Sequence, residues 1–377
     1  MKKKLLVVVM ALSCMFSNIT VFGADETLES TNVFSFVNEL EITSNDTREN
    51  LDIDTATEMA LKNSTELKTA NLSLEVSEKQ LESSQNTVDY NTGSNGLQSI
   101  LSLIKNQTSY KNSEEEKAVT EQKIAYEMEQ SFIEILNLER DIEISERNID
   151  IQEKNLNISR AKYNMGLLSK QELNEAESSF EKSKESIETQ KTNLKNAFKN
   201  LNIIIGESDT SKEYNILIDV EYNPLEIETS IETYAEARTL ESVSVKNAER
   251  NLQVTKQSYV VEQVSDTGTT VSLMQAENSV STSEMSLSDM KENMENQIVN
   301  LYNTIKSLET SIENNKKQLS DLNKNLEIAK LKYDIGSISE IELLQAENQV
   351  AEMENTIIEQ IYQHSQNIKQ FENVNLL

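Results

Sequence analysis

Tyr163-Asn164-Met165-Gly166-Leu167-Leu168-Ser169-Lys170-Gln171-Glu172-Leu173 and Tyr333-Asp334-Ile335-Gly336-Ser337-Ile338-Ser339-Glu340-Ile341-Glu342-Leu343 read as one turn written twice. In each, a glycine suits the left-handed residue that closes a helix, and a serine three residues later suits the N-cap of the next. Glu172 and Glu342 stand where a capping box needs them. Each stretch therefore predicts a compact turn between a long helix and a returning one. Two readings stand side by side. One is structural, two well-made αα-turns; the other is functional, because residues beyond the caps also match.

Working outward, the match widens. Residues 121–177 align without a gap to 291–347, with 17 of 57 positions identical. They include Ile135/Ile305, Leu138/Leu308, Ile142/Ile312, Leu156/Leu326, Ala176/Ala346 and Glu177/Glu347. The polar identities are more than shared heptad composition, so the chain is read as an internal duplication. Upstream, Leu51-Asp52-Ile53-Asp54-Thr55 resembles Leu225-Glu226-Ile227-Glu228-Thr229. Each half is expected to run as a short extended segment, a helix, a loop, a long helix, a tight turn and a return helix.

The long helices show their seams. Ile124, Met128, Ser131, Ile135, Leu138, Ile142, Ser145, Ile149, Gln152 and Leu156 alternate at spacings of three and four. Met294, Ile298, Leu301, Ile305, Leu308, Ile312, Asn315, Leu319, Leu322 and Leu326 repeat the pattern. A period of 3.5 residues specifies left-handed coiled-coil packing. The return helices carry Leu173, Ala176, Phe180, Ser183, Ile187 and Leu343, Ala346, Val350, Met353, Ile357. Ile144, Ile151 and Ile158 add a second stripe, so the first long helix is expected to touch more than one neighbour. From about 118 to 164 it would measure roughly 70 Å at 1.5 Å per residue. A rod of that length cannot bury its stripes in one hairpin, which predicts self-association.

Composition agrees with long uninterrupted helices. The 377 residues include seven Gly, one Pro, one Cys, one His and no Trp. Hydrophobic residues make up 37%, little for a compact globule but suited to narrow seams. With 64 acidic against 35 basic side chains the charge is −29, which disfavours nucleic acid. One His and one Cys cannot build the usual zinc site or a Cys/His nucleophile. No glycine-rich phosphate loop is present, so neither an enzyme nor a cofactor nor a metal is expected. His364 falls where the first half has Leu194, and reads as a partly buried polar seam residue. Asn215–Val220 with Pro224 reads as short strand and turn, grouped with Phe34–Ile42, and Lys111–Lys117 as a solvated loop.

The N-terminus reads as a secretory leader, with a retained membrane anchor as the alternative, although the apolar run is short of the ~20 residues a span needs. Met1-Lys2-Lys3-Lys4 precedes an apolar run from Leu5 to Phe16, and small residues follow at Val21-Phe22-Gly23-Ala24. Cleavage is expected after Gly23 or Ala24. Cys14 lies inside the leader, and Ala11-Leu12-Ser13-Cys14 is a poor lipidation site. The chain thus divides into a signal peptide, 1–24, an extension, 25–50, a first repeat, 51–206, a linker, 207–224, and a second repeat, 225–377.

The duplicated halves, the leader and the Tyr-x-x-Gly-x-x-Ser-x-x-Glu-Leu turns with downstream Ala-Glu resemble TolC-type outer-membrane efflux proteins. The opening Leu51-Asp52-Ile53-Asp54-Thr55-Ala56-Thr57-Glu58-Met59-Ala60-Leu61 is similar to the segment that begins that fold. The resemblance covers most of 50–374. It implies an all-α fold of duplicated antiparallel coiled-coil hairpins, closing into an α-helical barrel as a homotrimer, with a small strand-containing equatorial region. It also implies a periplasmic adaptor of the membrane-fusion type and an exporter as partners. By resemblance, Tyr163, Gly166, Leu167, Ser169, Tyr333, Gly336, Ser337 and Ser339 would form adaptor-docking tips. Glu342 and Gln345, with Glu172 and Glu175 in the first half, match the positions of a constricting acidic ring at the tunnel mouth. A ring of carboxylates there would favour cations and set gating by mutual repulsion. The alternative is that these are ordinary solvated helix faces.

One departure is expected. The family inserts a β-hairpin into a membrane barrel in each half, and such strands need about 9–11 residues with dyad alternation. Asn91 to Val119 holds a helical-looking Leu97-Ile100-Leu101-Ile104 and an acidic run, and Val260 to Ser272 is too short. The barrel is therefore expected to be absent or vestigial. The Leu97–Ile104 patch is expected to pack on the tunnel's far end, with a membrane contact as the other choice. Location follows as exported, in the cell envelope, outer-membrane by resemblance but set against the missing strands. The function expected is an efflux or export conduit; the alternative is a secreted coiled-coil scaffold or spacer that kept the fold without transport.

Overall fold

The computed structural model describes residues 48–88, 94–264 and 269–377. The leader, Cys14 and Phe34–Ile42 lie outside the described residues. Strand β1 (Glu49–Asp52) leads into α1 (Ile53–Asn63), α2 (Thr65–Val88), α3 (Ser94–Asn164) and α4 (Lys170–Ile205). Strand β2 (Tyr214–Leu217) follows, then α5 (Ile231–Glu241), α6 (Val243–Val264), α7 (Thr270–Asp334), α8 (Glu340–Glu372) and a 3₁₀ turn at Val374–Leu376. The order short helix, medium helix, long helix, return helix occurs twice, giving the duplicated hairpins that the repeat implies.

The caps explain the boundaries. Asp52 accepts from the Thr55 amide at 2.9 Å to start α1, and Ser230 accepts from Thr233 at 3.3 Å to start α5. These caps are 178 residues apart, as are α1 and α5 themselves. The similarity of Leu51–Thr55 to Leu225–Thr229 is therefore four residues out of structural register. Leu225 and Ile227 instead lie in a stretch without regular secondary structure and pack on the second apolar cluster.

The expected loop at Lys111–Lys117 is helical. Helix α3 begins at Ser94 and runs unbroken for 71 residues, about 105 Å at 1.5 Å per residue. The acidic run Glu114-Glu115-Glu116 is accommodated because Lys111 pairs with Glu114 at 2.9 Å one turn on, and Arg250 of α6 reaches Glu115. Charge pairs at helical spacing look like loop polarity in a one-dimensional reading.

Most of the core sits near the equator. Parallel β1 and β2 pair Leu51 with Ile216, and both are buried. Ala56 and Ala60 let α1 approach α3 and α4 closely, beneath Phe132, Ile135, Phe198 and Leu201. Ile312, Ile357 and Ile361 join this cluster from the second half, so the two hairpins share one core. A second cluster gathers Ala235, Ile298, Ile305 and Phe371, with Tyr234 stacked on Phe371 at 4.5 Å. The seams hold as expected at Met128, Ile135, Ile142, Leu156, Ile187, Val350 and Ile357, all buried. In the second stripe Ile151 is buried, whereas Ile158 near the tip is exposed.

Candidate functional site

Both tips are built alike. The Leu167 amide donates to the Lys162 carbonyl at 2.9 Å and the Gly166 amide to Tyr163 at 2.8 Å. In the second half, Ser337 donates to Lys332 and Gly336 to Tyr333, each at 2.8 Å. This paired pattern is a Schellman closure, which places the glycine in the left-handed region, at φ 73° and 70°. Ser169 and Ser339 then cap α4 and α8 in complete capping boxes with Glu172 and Glu342. Lys154 of α3 meets Glu340 of α8 at 2.5 Å, so the two tips lie side by side at one end.

The tips expose apolar side chains. Leu167 is 72% and Ile335 80% exposed, with Met165, Tyr163 and Tyr333 exposed beside them. Leu167 follows the closing glycine and Ile335 precedes it, and neither side chain is covered, so their apolar character is not explained by the core. Glu172, Glu175, Glu342 and Gln345 are all exposed on the first turns beyond the tips. The Ser169 and Ser339 backbone amides hold the carboxyls of Glu172 and Glu342 below the ordinary glutamate range, helped by the serine hydroxyls. Both are therefore charged at every pH near neutral. Glu175 accepts from Gln171 at 3.1 Å.

A polar ladder between α3 and α8 escaped the sequence reading. Asn348 donates to Asn148 at 2.9 Å and to Glu352 at 2.7 Å; Asn355 donates to Asp141 at 3.1 Å and to Glu359 at 2.9 Å. One heptad further, Tyr362 lies under the Arg140 guanidinium at 5.4 Å. The spacing 348, 355, 362 against 148 and 141 was the available signal. Burial and the adjacent Asp141 push the Glu359 carboxyl up.

His364 is completely buried rather than partly so, at 1% exposure. Its Nε2 stands 3.3 Å from Glu309 Oε1, and the same oxygen accepts from the Leu225 amide at 2.6 Å. Lys306 bonds Glu309 at 2.8 Å and also reaches the Leu225 carbonyl. Tyr222 packs edge-on against the imidazole at 5.0 Å, its phenol pushed up to about 12 chiefly by burial. This cluster clamps the stretch around Pro224 to α7 and α8. Among the described residues no group of three or more His, Cys, Asp or Glu could hold a metal ion. Two shallow grooves run along α2, one lined by Thr65, Thr69, Ser113 and Thr120, and neither encloses a pocket.

No family model and no curated relative matches the sequence. Solved structures do match it. CusC, crystallised in a study of folding and transmembrane channel formation, is 14% identical with a TM-score of 0.66, over 87% of this chain and 92% of its own. The Campylobacter jejuni outer-membrane channel CmeC is 14% identical with a TM-score of 0.59, over 86% and 85%. The Vibrio cholerae outer-membrane protein VceC is 10% identical with a TM-score of 0.60, over 85% and 95%. This is the TolC-type fold.

Here the TolC-type fold carries no room for membrane strands at its two α2–α3 and α6–α7 connections. Five residues, 89–93, separate α2 from α3, and five, 265–269, separate α6 from α7. A pair of spanning strands would need about 18–22 residues. Among the described residues the only strands are β1 and β2. No described helix is long and apolar enough to cross a membrane.

Proposed function

We propose that this chain is a non-enzymatic conduit component of an export system. The carrying observation is the pair of tips: two turns on a TolC-type fold, side by side, each presenting an exposed apolar residue beside a left-handed glycine. In this reading the repeats 51–206 and 225–377 supply two hairpins per subunit, joined through the linker 207–224. Three subunits then close an α-helical barrel. Apolar residues left uncovered on the outer helices, Leu72 and Val76 of α2 with Met285 and Met290 of α7, support such self-association.

Tyr163, Gly166, Leu167, Ser169, Tyr333, Gly336, Ser337 and Ser339 form the surface offered to a membrane-fusion-type adaptor. Glu172, Glu175, Glu342 and Gln345 line the mouth. Capped glutamates suit that place: they keep their charge at neutral pH, so a ring of them holds a steady cation-favouring field. The likeness to outer-membrane channels supports a place in the cell envelope, reached through the N-terminal leader.

Light scattering combined with small-angle X-ray scattering on the processed chain tests the proposal. An elongated trimer with a hollow cross-section is expected. The short α2–α3 and α6–α7 connections favour the scaffold reading as the second choice; a stable solid rod of one or two chains would establish it and overturn the conduit.

A further inference from the structure

Arg140 is the only fully buried lysine or arginine among the described residues, at 8% exposure. Its Nη2 donates to the Tyr362 hydroxyl at 3.3 Å and its guanidinium covers that ring, whereas its Nη1 is buried without a partner. A buried cation in that state is costly, and an open donor on it calls for an explanation. Two carboxyls stand close by: Asp141, the next residue of α3, and Glu359, one turn before Tyr362 on α8.

Those carboxyls are occupied with each other. The Asn355 amide donates to Asp141 at 3.1 Å and to Glu359 at 2.9 Å, which gathers both acids at one nitrogen. They also lie within hydrogen-bond reach of one another across the α3–α8 joint. Ionised carboxylates only accept hydrogen bonds, so this contact requires one of them to keep a proton. Burial and Asp141 push the Glu359 carboxyl up, and Arg140 pulls it down, so both α3 residues act on the same group. The surrounding charges have partners of their own. Glu139 pairs with Arg48, Glu143 with Arg147, Lys191 of α4 with Glu146, and Lys316 of α7 with Glu313. From α7, Asn315 and Ser311 bond Gln360 beside Glu359, and neither titrates. Glu354, farther along α8, is raised by its own burial and answers to Arg147.

We propose that Glu359 is a proton-operated switch in the joint between the two hairpins, moving between Asp141 and Arg140. Holding a proton taken from solvent, its carboxyl donates to Asp141 and Arg140 Nη1 stays open, which is the contact present in the structure. When the proton returns to solvent, two like charges face each other, and Glu359 turns to Arg140, whose Nη1 donates to it. A shared hydrogen bond across the joint is exchanged for an ion pair across it. Adjacent residues of a helix point about 100° apart, so the two positions of Glu359 engage different sides of α3. The hairpins are thus joined in one way at low pH and in another at high pH. The switch belongs to the joint and stands whether or not the molecule conducts.

The test is infrared difference spectroscopy of the full processed chain against its Glu359→Gln variant across a pH titration. A protonated carboxyl has a C=O stretch that a carboxylate lacks, and the subtraction removes every other acid, Glu354 included. One protonated carboxyl is expected, persisting above the ordinary glutamate value of about 4.3 and lost as pH rises further. Asp141→Asn, which removes the shared acceptor and the like charge, should move that loss to lower pH. Arg140→Gln, which removes the alternative partner, should move it to higher pH. A merely structural role would not shift one band in opposite directions. Tyr362→Phe, which frees Nη2 as well, reaches the Arg140 arm without removing the buried cation, and should move the loss to lower pH. Circular dichroism checks that each variant is folded. Absence of the band in the parent above the ordinary glutamate range overturns the switch. So does an unmoved midpoint in Asp141→Asn, because the proton is then not shared. An unmoved midpoint in both Arg140→Gln and Tyr362→Phe also overturns it, because Arg140 is then not the second position.

Discussion

Gly206 and Gly166 share a left-handed backbone, at φ 75° and 73°, and differ in what surrounds them. A Cβ at Gly166 would meet nothing within 4 Å, so Gly166→Ala should cost only the backbone strain, about 1 kcal/mol. At Gly206 the added carbon would come within 2.7 Å of Asn63 Cγ. The Asn63 amide closes α4 by donating to the Ile203 and Ile204 carbonyls, each at 3.0 Å. Displacing it forfeits two hydrogen bonds of about 1 kcal/mol each, so Gly206→Ala should cost about 3 kcal/mol. Urea unfolding would read both, and the Asn63→Ala/Gly206→Ala pair should cost less than the sum of its singles. His364 gives a pH prediction. Burial pushes its pKa below 6.5, opposed in part by Glu309, while Lys306 reinforces the shift. Burial pushes Glu309 up, but bonds from Lys306, the Leu225 amide and His364 outweigh it, so Glu309 stays ionised to below the ordinary glutamate range. Tyr222, packed edge-on against the ring with its phenol pushed up to about 12 chiefly by burial, stays neutral through this range, and Lys316 lies over the Tyr222 ring at 4.4 Å. The unfolded chain thus binds the His364 proton first, and this stability is full above about pH 6.5 and is lost as pH falls below it. Thermal scans should show the Tm advantage of wild type over His364→Gln shrinking between pH 8 and pH 5. Glycine turns and their serine caps were legible because each uses a local residue type at fixed spacing. The Glu309–His364 clamp was not, since it joins residues 55 apart to the Leu225 amide, 84 residues from Glu309.

At the scale of elements, the 3.5-residue period identified the seams because burial selects apolar side chains at every turn that faces a neighbour. It could not separate α3 from a supposed loop, because a helix whose polar face carries paired charges has the same composition as a solvated loop. Nor did it reveal the Asn148–Asn348 and Asp141–Asn355 contacts, whose heptad spacing is visible only once α3 and α8 are known to be antiparallel neighbours. Polar groups in a seam fix register at some cost in stability. Asn355→Asp tests how sharply. The new carboxylate would stand beside Asp141 and Glu359, and the Glu359 carboxyl is already raised by burial and by Asp141. Like charges in a half-buried site raise their pKa values, so the folded state holds protons more tightly than the unfolded one. Stability is then greatest below the ordinary carboxylate range and is lost as pH rises. Asn355→Asp should lower Tm by several degrees at pH 8 and by much less at pH 4.5, measured by calorimetry on both proteins.

For the whole molecule, length and cross-section report different things. Helix α3 spans about 105 Å and lies beside α8 and α4, so the subunit's own length is fixed by one element. Subunits that close a barrel stand side by side, as do the two hairpins within one chain. Trimerisation should therefore triple the mass while leaving the maximum dimension near 110–120 Å, roughly the α3 length plus its turns. An end-to-end assembly would instead approach twice that length at twice the mass. The second-half seam adds a reason to expect neighbours at the sides: Leu319, Leu322 and Leu326 are only half-buried, and Ile328 and Leu331 are exposed on the same stretch of α7. In the proposed barrel this row of uncovered aliphatic residues is expected to meet a helix of the neighbouring subunit. Replacing Leu322 and Leu326 by Gln should leave the monomer's helix content intact, since neither is fully buried, and should shift the equilibrium toward smaller species. Sedimentation velocity over a tenfold concentration range would show it. If the substituted chain sediments like the parent, that row faces solvent in the assembly and the barrel wall must close along α2 and α6 instead.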